Sequence, residues 1–165
     1  MPARPRVYGI RIAFRAPLPF VYRWCTDYRP FDGRLAGDPY DRRILSRSRR
    51  RVVLEDLWWE PGGWGWRHTD VSLRPLQGWH ADSVGNVRTA LIDYRLRALP
   101  GDRTELEIRM RRWPTALHPK QPVKRVFEDY LRSMWGNLGR QLEREYRSRA
   151  GRSASAVRRR RRPSS

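Results

Sequence analysis

The chain has 165 residues, 39% of them hydrophobic, with 8 Trp, 7 Tyr and 4 Phe, and carries a formal net charge of +19. That length and aromatic content suffice for one packed domain, while the single cysteine, Cys25, excludes an intramolecular disulfide and leaves no cysteine pair for a zinc site. Met1 to Phe14 lacks the apolar run of a signal peptide and no stretch approaches the ~20 apolar residues of a membrane span, so a cytoplasmic protein is expected.

In chain order, residues 1–6 form a polar lead. Val7 to Arg15 alternates, with Tyr8, Ile10, Ile12 and Phe14 on one side, as a half-buried strand does. Ala16-Pro17-Leu18-Pro19 stops it, and Phe20, Val21 and Trp24 follow at helical spacing. A second short helical turn comes near Asp32, and Gly33, Gly37 and Asp38-Pro39 mark a loop. Six further strands are expected. Tyr40–Arg47 and Arg51–Glu60 form a hairpin through Ser48-Arg49-Arg50, and Trp64–Leu73 follows the turn at Pro61-Gly62-Gly63. Trp79–Val84, Val87–Leu99 and Thr104–Trp113 are separated by Gly85-Asn86 and Pro100-Gly101-Asp102. In the last strand Leu106, Ile108 and Met110 alternate with Glu105, Glu107, Arg109 and Arg111, the pattern of a sheet with one covered and one wet face.

From Val123 to Arg149 the spacing predicts one long amphipathic helix with Val123, Phe127, Tyr130, Leu131, Met134, Leu138 and Leu142 on a single face. Such a stripe must be covered, and the strands supply the apolar surface to cover it. Residues 150–165 are Arg, Ser, Ala, Gly, Val and Pro, and read as a disordered basic tail outside a domain spanning 7–149. Of the 36 basic residues 34 are Arg, only Lys120 and Lys124 being Lys, a skew that GC-rich codons also produce. Eight Arg follow Tyr146 without an acid, so the rest of the chain still carries +11.

Phe14 through Tyr22, with its Ala-Pro break, resembles the first strand and helix of the START/Bet v1-like (SRPBCC) superfamily, whose members include polyketide cyclase-like and lipid-transfer-like proteins. Thr26-Asp27-Tyr28-Arg29-Pro30-Phe31 resembles its second-helix linker. Tyr94-Arg95-Leu96 through Gly101-Asp102-Arg103-Thr104-Glu105-Leu106 is similar to its penultimate hairpin, and Asn137 through Glu143 to the end of its grip helix. The resemblance covers about Val7 to Arg149. It implies an α+β helix-grip fold, a curved antiparallel sheet of about seven strands wrapped around the C-terminal helix with two short helices after the first strand, and an apolar cavity between sheet and helix. It implies no single reaction.

The residues expected to line that cavity are Trp64, Trp66, Tyr94, Met110, Phe127, Tyr130, Met134 and Trp135. Trp64 and Trp66 share a strand face with His68 and Asp70; that face is a cavity wall, core packing or a subunit contact. His68 and Tyr94 are the weak candidates for acid–base chemistry. His80 and His118 sit near turns, no metal spacing occurs and no cofactor is expected. Gly136 and Gly139, each costing ~1 kcal/mol inside a helix, mark close approach to a ligand or tight packing. The run Arg158, Arg159, Arg160, Arg161 and Arg162 would attract nucleic acid or anionic membrane without reading sequence. The favoured function is binding or transport of a hydrophobic small molecule (a lipid, isoprenoid or polyketide-like compound), any inward Arg fixing an acidic or carbonyl group. The alternatives are a cyclase- or dehydratase-like enzyme in the same cavity and a basic nucleic-acid- or ribosome-associated module. Ligand identity and oligomeric state are open at this level.

Overall fold

The structure, a computed structural model, describes residues 4–37 and 40–160, with side chains as far as Arg152. Its elements follow the expected order: β1 (Arg6–Phe14), α1 (Leu18–Cys25), α2 (Asp32–Ala36), β2 (Asp41–Arg47), β3 (Arg51–Glu60), β4 (Gly63–Arg74), β5 (Gly78–Gly85), β6 (Thr89–Leu99), β7 (Arg103–Trp113) and α3 (Lys124–Arg160). The strands form one antiparallel sheet in the order β1-β7-β6-β5-β4-β3-β2. β2 to β7 is therefore a meander of hairpins, and the long connection through α1 and α2 carries the chain from one sheet edge to the other.

Register decides which residues face α3. Tyr8, Ile10, Ile12 and Phe14 of β1 pair with Met110, Ile108, Leu106 and Thr104 of β7, so they share its inner face. That face holds most of the buried core, including Val52, Leu54, Val71, Ala81, Ala90 and Ile92. The break after β1 is pinned by a buried hydrogen bond in which Thr104 Oγ1 donates to the Ala16 carbonyl at 2.8 Å.

α3 lies along β1, the free edge of the sheet. Its Glu128 accepts from the Gly9 amide at 2.8 Å and its Glu143 from the Arg15 amide at 2.8 Å. The spacings agree: six strand residues rise about 20 Å and fifteen helix residues about 22 Å. On its other flank Arg29 forks onto Glu145 at 2.9 and 3.1 Å, and Asn137 Nδ2 donates to the Ala36 carbonyl at 3.3 Å.

The helix differs from expectation at both ends. Val123 is exposed and precedes α3, where its carbonyl accepts from the Phe127 amide at 3.0 Å. The helical backbone also continues through Arg160, past the Arg149 boundary where a disordered tail was expected to begin. After Gly151 the sequence offers no helix breaker before Pro163, and Arg and Ala are good helix formers. Arg158, Arg159 and Arg160 stand on the last turn of α3, while Arg161 and Arg162 lie outside the described residues.

The two helix glycines separate cleanly. A Cβ on Gly139 would lie 2.8 Å from the ring of Phe14, a buried β1 side chain, whereas one on Gly136 would meet only the Arg140 guanidinium at 3.9 Å. Gly139→Ala should therefore destabilise the fold by about 1–3 kcal/mol through overpacking, and Gly136→Ala should stabilise it by about 0.5–1 kcal/mol. Urea unfolding of the two variants checks both signs.

Candidate functional site: a cavity under the C-terminal helix

A cavity of about 330 Å³ lies between the sheet and α3. It occupies the end of the sheet where β3 turns into β4, β5 into β6 and β7 leads toward α3. At the opposite end Phe14, Phe20, Leu106 and Leu142 are buried and fill the space. The apolar wall comes from Ile108 and Met110 of the sheet and from Phe127, Leu131, Met134 and Trp135 of α3. Tyr94 is stacked on Trp79 with ring centres 4.6 Å apart, and Trp135 closes on Tyr94 at 5.9 Å. Tyr130, stacked on Phe127 at 5.8 Å and half exposed, stands at the rim.

Trp58 reaches the cavity because its cross-strand partner is Gly65. A Cβ there would sit 2.6 Å from the indole, so only glycine leaves the ring its place. The indole Nε1 donates to Glu60 at 2.7 Å.

A charged group occupies the β2–β4 side of the wall. Asp56, its side chain fully buried, accepts from Arg42 Nε at 2.7 Å and Nη2 at 3.1 Å, and also pairs with Arg67. Arg42 Nη1 donates to Asp32 at 3.0 Å, and its guanidinium lies over the rings of Tyr40 and Tyr28. Burial would raise the Asp56 carboxyl, but hydrogen bonding from Arg42 and the charges of Arg67 and Arg42 outweigh it and hold the carboxyl below its ordinary range. Asp32 shares Arg42 with Asp56, and there burial wins: its carboxyl is pushed up to about 6. Burial also pushes the hydroxyls of Tyr94 and Tyr40 up to about 12, so both are protonated hydrogen-bond donors at neutral pH.

Further polar groups come from strand ends and the loop before α3. His118 Nε2 lies 3.4 Å from Glu60 Oε2. Arg112 projects inward with its guanidinium carbon 5.1 Å from the centre of the Phe127 ring, and Arg88 lines the same cavity.

Of the residues expected at the cavity, Tyr94, Met110, Phe127, Tyr130, Met134 and Trp135 line it. Trp64 and Trp66 do not: they are 57% and 45% exposed on the outer face of β4. They alternate with Gly65, Arg67, Thr69 and Val71, and the side facing α3 is the one that carries Gly65 and Arg67. His68 shares that outer face, half exposed and 3.6 Å from Glu55 of β3. Asp70 shares the face but is held by Arg51 at 2.9 Å, so His68 has no acid–base partner in it. His80 likewise bonds Asp93 at 2.9 Å, away from the cavity lining. The histidine that does line the cavity is His118. The Arg42–Asp56–Arg67 group was also missed. Its signal was a charged residue at each of three core-parity positions: Arg42 beside Ile44, Asp56 beside Leu54, and Arg67 beside Thr69. Among the described residues no cluster of His, Cys, Asp and Glu could hold a metal ion, and no helix is long and apolar enough to cross a membrane.

The raised Asp32 carboxyl has a consequence for stability. A folded-state value near 6 against an ordinary 3.8 means the folded protein takes up this proton first. Its stabilising contribution is complete below the unfolded value and is lost as pH rises through about 6. Between pH 7 and pH 5 the group should add about 1 kcal/mol of stability. Asp32→Asn should remove that increment, as read from urea unfolding of both proteins at the two pH values.

No protein-family model matches the sequence, and no curated protein matches it. Solved structures do match in shape. The Zhui aromatase/cyclase from Streptomyces sp. R1128 superposes with a TM-score of 0.64 at 14% identity, over 85% of this chain and 94% of that one. Ara h 8.0201 gives 0.63 at 11% identity, over 87% and 99%. A START superfamily protein from Mycobacterium smegmatis gives 0.60 at 15% identity, over 86% and 97%. Likeness of this kind, nearly end to end and with little shared sequence, is a likeness of architecture: the chain has the helix-grip fold of Bet v1 and START proteins.

Proposed function

We propose that this protein binds one apolar small molecule in the cavity beneath α3 and shields it from water. The observation that carries this reading is the cavity itself: about 330 Å³ of space walled by aromatic and aliphatic side chains from both sheet and helix. That volume is at the lower end of the ~300–1,000 Å³ typical of small-molecule sites, and suits a compact ring system or one short chain better than a whole two-chain lipid. Each 100 Å² of apolar ligand surface removed from water would contribute about 2.5 kcal/mol before ordering costs. The buried ion group gives the β2–β4 wall a fixed polarity, so a ligand carbonyl or hydroxyl would find donors in Tyr94, Tyr40 and Arg67.

One contact favours a second reading, an enzyme in the same space. His118 Nε2, buried and without a hydrogen-bond partner, lies 3.4 Å from Glu60 Oε2 beside the cavity, so a bound carbonyl compound would meet an imidazole and a carboxylate together. Fold likeness to an aromatase/cyclase supports asking for such chemistry; His68, on the outer face, is withdrawn from it.

Native mass spectrometry of protein purified from its host should reveal a co-purifying small molecule, and N-phenylnaphthylamine, an uncharged fluorescent probe, should bind with enhanced emission. Met134→Trp, which fills the cavity from the helix side, should abolish both with the melting temperature kept; undiminished probe binding in that variant would refute the cavity as the site. His118→Ala should leave probe affinity within about twofold if the protein only binds, since an exposed-side imidazole adds little apolar contact, and should abolish conversion of the co-purified molecule if it is an enzyme.

A further inference from the structure

Four arginines line the cavity: Arg42, Arg67, Arg88 and Arg112. Two are neutralised within the chain, Arg42 by Asp32 and Asp56, and Arg67 by Asp56. The remaining lining acid, Glu60, accepts from Trp58 Nε1 at 2.7 Å and lies 3.4 Å from His118 Nε2. Among the described residues no carboxylate lies within 4.0 Å of Arg88 or Arg112.

These two arginines stand together. Arg112 Nη2 donates to the Val87 carbonyl at 3.4 Å, and Arg88 is the next residue. Arg88 Nε is buried and has no hydrogen-bond partner. Arg112 is drawn out of water against the Phe127 ring, and that burial depresses its pKa. A guanidinium removed from water without a counter-charge is costly, and folded proteins pair such groups or supply the anion from outside. The charge of Glu60 reaches Arg112 from beyond ion-pair distance, but burial outweighs it, and a chain of net charge +19 adds no further compensation.

We propose that the cavity's ligand is an aromatic carboxylate, its carboxylate held by Arg112 and Arg88 and its planar body laid against Phe127, Trp135 and Tyr94. This rests on the binding reading above and names the class of molecule bound. The carboxylate follows from the guanidinium fork, whose donors match two coplanar oxygens. The flat body follows from the walls, where Tyr94 and Trp79 are stacked 14° from parallel and Phe127 and Tyr130 28° from parallel.

Displacement of bound N-phenylnaphthylamine tests this with two competitors of one shape, naphthoate and its uncharged amide, naphthamide. Naphthoate should displace the probe at about one tenth the concentration naphthamide needs, as a charge-assisted pair implies. Arg112→Gln should raise the naphthoate requirement about tenfold and leave naphthamide within about twofold. Arg88→Gln should act in the same direction, and carries the test if Arg112→Gln fails to fold. Arg111→Gln removes the same charge from the exposed outer face of β7 and should change neither competitor. Equal potency of the two competitors in the unaltered protein, or failure of both to displace, overturns the carboxylate assignment while probe binding leaves the cavity reading standing. A loss in Arg111→Gln as large as in Arg112→Gln overturns it too, because the preference would then belong to overall charge. Failure of the probe to bind at all overturns the cavity reading and this inference with it.

Discussion

The architecture depends on how α3 is fastened. Two carboxylates fifteen residues apart on the helix take the amides of Gly9 in β1 and of Arg15 just past its end. They fix the helix's rotation and its axial position against one edge of the sheet, and Gly139 lets the backbone close onto Phe14 there. On the other flank Arg29 and Ala36 hold it through Glu145 and Asn137. The helix is thus supported along both sides rather than by full contact with the curved sheet below. At one end Phe14, Phe20, Leu106 and Leu142 fill the gap, and at the other the side chains do not meet. The cavity is a consequence of where the helix is tied.

Charge is then distributed over the cavity's two walls in different ways. On the β2–β4 side three charged residues, Arg42, Asp56 and Arg67, reach one another across two hairpins and neutralise each other locally, with Asp32 as an outer fourth member. On the β6–β7 side Arg88 and Arg112 have no such partner among the described residues. A buried ion group on one wall is compatible with an apolar occupant because its field is largely internal. A pair of guanidiniums without a carboxylate in contact gives the space a direction, and so a preferred orientation for whatever enters it.

Much of this fold was legible in the sequence because the sheet is wet on one side. Thr104 to Trp113 could be read residue by residue, since every inward apolar side chain is followed by an outward charged one. The same rule failed at Trp64 and Trp66 for a definite reason. Alternation tells which residues share a face, while the direction of that face is set by the partner strand. There Trp58 of β3 packs on Gly65, which makes the glycine's side the inner one. Charge at a core-parity position marks Arg42, Asp56 and Arg67 singly, but their union is not legible because they come from three strands and meet only in register, Arg42 opposite Asp56 and Asp56 opposite Arg67. His118 was obscure because a loop places it. The ring stack of Tyr94 on Trp79 needed only the hairpin to be recognised, since the two residues are direct cross-strand partners.

Among the described residues β2, the edge of the sheet opposite β1, is not fastened to α3 as β1 is, and α2 meets it through the Asp32–Arg42 pair at 3.0 Å. A strand in that position offers unpaired amides and carbonyls to any other extended chain. Here the strand is seven residues long, four of them charged (Asp41, Arg42, Arg43 and Arg47), and its ladder is interrupted by a bulge at Leu45. The irregularity twists the border locally, and the positive side chains repel a second copy approaching in register. A bent, charged margin of this kind makes the strand a poor template for the edge of another sheet.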